Sequence, residues 1–275
     1  MLLRFLGLTL LGATSLSAQQ NITIGDLPWL NGPATGQLGA EAQTRVPAGC
    51  AFLGPDKADD FMLMTQNPPD GSERGVVLCQ PDADNIWFVV FSFENSGYVK
   101  DDERDELDAS SLLKTLRRGN EAGNAERERR GWSTLSIDGW VEPPHYDTAT
   151  NNLTWSLSLR DSEGDSSINH SVRLLGRGGV MHADLVADAS QLYDAMPVFN
   201  QMVTGYEYKS GHRYSEWRAG DKVAAFGLTA LIGGGAVALA AKSGLLAKFW
   251  KLLVAGVLAV IAGIKSLFKK KQPAA

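Results

Sequence analysis

Residues 153–160 read Leu-Thr-Trp-Ser-Leu-Ser-Leu-Arg, with Leu153, Trp155, Leu157 and Leu159 all falling on one side. A period of two is the mark of a strand with one buried face. Two more β-rich runs follow, residues 168–175 and 180–187, joined by Gly176-Arg177-Gly178-Gly179, and they read as a hairpin. Ahead of the alternating run, Trp132 to Val141 reads as a further strand that passes through Pro143-Pro144-His145-Tyr146-Asp147, a rigid turn between strands. Strands adjacent in sequence place an antiparallel sheet at the centre of the fold.

Residues 191–205 carry Leu192, Met196, Phe199 and Met202 at helical spacing, so an amphipathic helix is expected across that sheet. A short strand, Tyr206-Glu207-Tyr208, comes after it. A second helix is expected over residues 109–118, with Leu112, Leu113 and Leu116 on one face and Asp108 as its cap. Gly119 and Gly123 should interrupt it, leaving the polar run 124–130 as a separate solvated turn ended by Gly131. Residues 86–94, Ile-Trp-Phe-Val-Val-Phe-Ser-Phe-Glu, are apolar without alternation, as in a central strand covered on both faces, and residues 75–79 form its neighbour. Residues 56–66 suggest a short helix capped by Asp59 and Asp60, and residues 21–49 an irregular lead-in with one short strand. The sum is an α+β domain, one antiparallel sheet with helices packed on a face. Its succession of elements resembles the Mog1/PsbP-like layout.

The two ends of the chain have a different composition. Residues 1–18 combine Arg4, an apolar core from Phe5 to Leu11 and a small-residue exit at Ser15-Leu16-Ser17-Ala18, the pattern of a secretory signal peptide. The folded domain then spans residues 21–218. Residues 223–241 contain no ionisable side chain, and nineteen such residues are about what a helix needs to cross a hydrocarbon layer of roughly 30 Å. Gly211 to Asp221 reads as a polar neck above the bilayer, where Tyr214 and Trp217 suit the interface. Beyond the span, residues 245–271 are basic and lie along the membrane as an interfacial helix or re-enter it as a second one. Within the span Ala230, Gly234 and Ala238 form a stripe of small residues that either lets two copies of the helix associate or only reflects a small-residue-rich anchor. The formal net charge of −5, with the acids in the middle of the chain, excludes a nucleic-acid partner, which needs clustered positive charge.

An exported domain meets an oxidising compartment, and there Cys50 and Cys79 are expected to bridge, two separate core thiols being the alternative. Their spacing fits neither a zinc site nor a dithiol redox site. Asp101, Glu103 and Asp105 match the first positions of a calcium loop, but Glu106 stands where glycine is required and Leu112 where a carboxylate is, so no metal site is read. Gly176–Gly179 lacks the helix and third glycine of a dinucleotide fingerprint, and no cofactor is read either. No serine or cysteine sits in a nucleophile elbow. The catalytic candidates are His145 with Asp147, an acid/base group and a carboxylate within one turn, helped by Tyr98 or Lys100.

Several of these blocks occur together elsewhere. Gly97-Tyr98-Val99-Lys100-Asp101-Asp102, Gly139-Trp140 with Pro143 to Asp147, Leu153 with Trp155, and Leu175-Gly176-Arg177 before Gly179-Val180 resemble the motifs of an uncharacterised bacterial family of predicted membrane-anchored proteins. The resemblance runs from about Asp26 to the C-terminus and implies a bacterial envelope location and a single extracytoplasmic domain; with the signal peptide and the span, the expected place is the inner membrane with the domain on its periplasmic side. It implies no activity and supplies no catalytic residues. The reading is therefore a non-catalytic binding domain on a lipid tether, whose partner is an unidentified protein or small molecule. An envelope enzyme using His145 and Asp147, and an assembly factor that oligomerises through its membrane helix, are the alternatives.

Overall fold

The structure is a computed structural model and describes residues 23–80 and 86–233. The expected signal peptide, the remainder of the expected span with Gly234 and Ala238, and the basic segment 245–271 lie outside the described residues.

The elements follow in the order Leu30–Asn31 (β1), Ala34–Leu38 (β2), Ala42–Val46 (β3), Cys50–Leu53 (β4), Pro55–Met64 (α1), Glu73–Cys79 (β5) and Trp87–Glu94 (β6). Then come Ala109–Arg129 (α2), Leu135–Asp147 (β7), Asn152–Asp161 (β8), Ser166–Leu175 (β9), Val180–Asp188 (β10), Leu192–Thr204 (α3), Glu207–Tyr208 (β11) and Leu228–Gly233 (α4). Eight strands form one antiparallel sheet in the order β1-β4-β5-β6-β10-β9-β8-β7, and β11-β3-β2 form a second, smaller one. So the α+β class and the large antiparallel sheet stand, but the sheet is not single and its helices are not confined to one face. The small sheet and α3 cover one face through Leu38, Val46, Phe199 and Met202. On the other face α1 covers the β4–β6 half with Phe61. There α2 and α4 cover the β8 half, where Leu153, Trp155, Leu157 and Leu159 point together.

The lead-in expected to be irregular contains β1, β2 and β3. Its Gly and Pro content hid a hairpin of alternating burial, with Leu38, Ala42, Thr44 and Val46 all inaccessible to water. Helix α1 starts at Gly54 with Pro55 in its first turn, where a missing N–H costs nothing, and not at Asp59 and Asp60. Helix α2 runs unbroken through Gly119 and Gly123. Its polar side chains explain why: Asn120 and Asn124 donate to the Leu135 carbonyl, Asn124 accepts from the Leu135 N–H, and Arg117 donates to the Ile137 carbonyl. Those bonds satisfy the open edge of β7, and tertiary pairing of this kind outweighs about 1 kcal/mol of glycine penalty per residue.

Asp108 caps α2 as expected, accepting from the N–H groups of Ser110 and Ser111. Pro143 to Asp147 is no turn but the end of the edge strand β7, where prolines are tolerated. Cys50 and Cys79 are register partners on β4 and β5 and are joined by a disulfide, their Cα atoms 4.1 Å apart.

Candidate functional site

The motif blocks gather at one end of the β8–β9 pair, where the chain's last described segment crosses the domain. Tyr98 stacks on Tyr214 with ring centroids 4.4 Å apart and leans on Trp217 at 5.2 Å. The Tyr214 hydroxyl donates to the Val99 carbonyl at 3.0 Å. Tyr146 comes up beside them from β7 and accepts from the Asn151 amide at 3.1 Å. Burial pushes the Tyr146 phenol up to about 12 against the lowering effect of the Asn151 bond, and nearby Asp101 adds to the rise. Tyr214 is raised by burial as well, reinforced by Tyr98 and Asp101. These phenols stay protonated and serve as packing and hydrogen-bonding groups rather than as bases.

The segment expected to be a polar neck is thus strapped down. Arg177 makes a two-pronged bond to Asp221 at 2.7 and 2.8 Å, Arg177 N–H donates to the His212 carbonyl, and Tyr98 bridges to Val223. Gly97 is required here twice over: its φ is +96°, and a Cβ would stand 2.7 Å from the Lys222 carbonyl oxygen. Past the strap, helix starts at Leu228 and not at Val223. Leu228, Leu231 and Ile232 are buried against α2 and β8, and Glu103 from the acidic run accepts the Thr229 N–H at 3.2 Å. That carboxylate caps α4, as Asp108 at the other end of the acidic run caps α2.

Of the four catalytic candidates, only Tyr98 joins this cluster. Lys100 is exposed. His145 faces the opposite side of β7 from Tyr146, half-exposed, with Nδ1 3.6 Å from Glu142. The Asp147 carboxylate closes its own turn by accepting from the Ala149 N–H and the Thr150 hydroxyl, and those bonds lower its pKa, with His145 the last of the contributors. The structure therefore gives the His145 ring and the Asp147 carboxylate different nearest partners.

Two constellations escaped the sequence reading. Glu142, Ser156 and His170 are cross-strand neighbours on β7, β8 and β9. Ser156 is 2.5 Å and Glu142 3.7 Å from His170, yet both approach the same ring atom, Nδ1. An acid-assisted serine nucleophile needs its two partners on opposite nitrogens, so this is a buried hydroxyl held in place and not one activated. Burial lowers the His170 pKa despite the pull of Glu142.

On the opposite face Arg173 donates to Asp184 at 2.8 Å, lies over the Trp155 ring at 4.6 Å, and leaves its Nε buried without a partner. For Asp184, burial favours protonation, but Arg173, His182 and the Ser171 hydroxyl outweigh it and hold the pKa below its ordinary value. His182 lies 3.4 Å from Glu94, and burial followed by Arg173 lowers its pKa. A charged residue at a buried phase of the Ser166–Leu175 run was the signal that register reading could have used.

The chain matches the model of a family described as "Protein of unknown function (DUF2167)" over residues 31–265. It belongs to that family. Among curated proteins none matches. Among solved structures, cyanobacterial PsbP from Synechocystis sp. PCC 6803 is similar at 12% identity, covering 70% of this chain and 99% of that one, with a TM-score of 0.37. The Ran-binding protein Mog1p of Saccharomyces cerevisiae is similar at 11% identity over 69% of this chain and 100% of its own, with a TM-score of 0.35.

Proposed function

We propose that this DUF2167 protein is a tethered, non-catalytic binding module of the bacterial envelope, with its folded domain on the periplasmic side of the inner membrane. The observation that carries the reading is the way the apolar C-terminal stretch begins. Val223 is bridged to Tyr98, and α4 is seated in the second core, so the domain grips the root of whatever follows. A tether built this way fixes the orientation of the domain on the surface that holds it. The Cys50–Cys79 disulfide supports an oxidising compartment, and the apolar sequence from Gly234 to Ile264, whose only charged residues are Lys242, Lys248 and Lys251, supports a lipid partner. Among the described residues no helix is long and apolar enough to cross a membrane. Leu228, Leu231 and Ile232 cannot fill the core and face lipid at once. The lipid-facing stretch therefore starts beyond them.

A phosphatase reporter active only outside the cytoplasm, joined after Gly233, tests the location. It should be active, and the full-length chain should need detergent for release whereas a chain ending at Gly233 should not. Activity only for a cytosolic reporter, or equal release of both chains, would overturn the proposal.

A further inference from the structure

The place where the chain leaves the domain singles out one surface. Leu228, Leu231 and Ile232 are buried in the second core, and the sequence from Gly234 to Ala241 has no ionisable side chain. No polar spacer therefore separates the folded domain from the apolar run. Gly233 itself packs on α2, where a Cβ would stand 3.4 Å from the Thr115 methyl carbon. The surface that receives the apolar run must then lie against the part of α2 around Thr115.

Helical geometry puts Ser111, Lys114 and Arg118 within about 100° of Thr115 on one side of α2, and all three are exposed. Leu112 and Leu116, on the other side, pack into the second core. From Ala109 to Ala125 the helix carries Lys114, Arg117 and Arg118 against a single acid, Glu121. Arg117 reaches back to the Ile137 and Asp138 carbonyls, which leaves Lys114 and Arg118 as the outward cations of the stripe. The acids nearby are engaged. Asp108 accepts from the Ser110 and Ser111 N–H groups, and Glu103 meets α4 at its other end, about 9 Å of helix from Gly233. Outward cations beside the entry of an apolar run match the phosphates of anionic lipid. A second copy, related by a two-fold axis, would set the same cations against each other. We propose that the Ser111–Lys114–Arg118 stripe of α2 lies on the anionic headgroups of the bilayer and so fixes how the domain stands on it. The inference rests on the lipid tether proposed above and adds the face that meets the lipid.

Full-length protein would be placed in nanodiscs of phosphatidylcholine, with and without phosphatidylglycerol. A dye would be attached through Ser111→Cys or, on α3 across the sheet, through Tyr193→Cys, and read against lipids that carry a headgroup quencher. The dye at position 111 should be quenched and the dye at position 193 should not, and quenching at 111 should deepen with phosphatidylglycerol. In the anionic discs Lys114→Gln and Arg118→Gln should each lower the ratio of surface-bound to tilted domain about fivefold, the worth of one basic residue at a charged surface. Equal quenching at both positions in protein that enters the discs would overturn this proposal and leave the tether standing, whereas a chain that stays out of the discs would overturn both. Quenching indifferent to phosphatidylglycerol and to both substitutions would also overturn it. So would a position 111 that escapes the lipid quencher and crosslinks to its counterpart in a second copy.

Discussion

The two halves of the large sheet are closed in different ways. Around β4, β5 and β6 the strands are close in sequence, α1 is a direct insertion between two of them, and a disulfide ties the pair that flanks it. Around β8 the core collects Val99, Leu112, Leu153, Leu159 and Leu228, drawn from segments more than a hundred residues apart, and its last layer is the final described stretch of the chain. One half is closed locally and covalently. The other depends on a strap and a two-turn helix arriving from the C-terminus, at the very point where the family motifs collect. Long-range closure is entropically costly and persists only where burial repays it. The contrast teaches that residues 211–233 complete the fold of the domain.

Substitutions can break this contrast, and the largest effect should come from the second core. Leu231→Ala removes a fully packed side chain between α4 and α2 and should cost about 2–5 kcal/mol. Amide hydrogen exchange should rise first in α2 and β8 and leave β5 and β6 protected. Uniform exchange across both halves would mean that the two cores are one cooperative unit. Replacing both Cys50 and Cys79 by alanine should cost roughly 3 kcal/mol, with the loss of protection now centred on β4 and β5.

A subtler effect concerns acid. The two prongs of Arg177, then the Arg218 N–H, hold Asp221 at about 2, below its usual value. A depressed carboxylate contributes stability above its unfolded pKa of about 3.9, and that contribution fades as pH falls through about 2. The melting temperature of wild type should therefore exceed that of Asp221→Asn near neutrality, and the two curves should converge as pH drops from about 4 to about 2. Parallel curves would show that the pair does not hold the strap. Smallest of all, Gly123→Ala, at a site with open space and ordinary helical backbone, should stabilise α2 by about 0.5–1 kcal/mol. A loss would restore the break read from the sequence.

Which parts were legible follows from the range of the forces involved. Period-two alternation in β8, the β9–β10 hairpin, the amphipathic stripe of α3 and the Asp108 cap are local signals, and each predicted its element. The hairpin β2–β3 was hidden because Gly36 stands where a side chain would meet the Phe52 ring, so a glycine needed for sheet packing passed for loop. The continuity of α2 was hidden because Asn120 and Asn124 act on β7, a partner no window of sequence contains. At the candidate site, no local pattern links Tyr98 to Tyr214 and Trp217, which lie more than a hundred residues away in sequence and carry the composition of membrane-interface aromatics. Apolar composition alone cannot tell a stretch destined for lipid from one that completes a core, and residues 223–233 show that ambiguity most clearly.

The most direct measurement compares the thermal unfolding of two chains, one ending at Arg218 and one at Gly233. Burial of Leu228, Leu231 and Ile232 is together worth roughly 5–8 kcal/mol, on the scale of a whole domain's stability. The account predicts a cooperative transition for the longer chain and a molten or unfolded second core for the shorter. Equal melting temperatures for the two would contradict it.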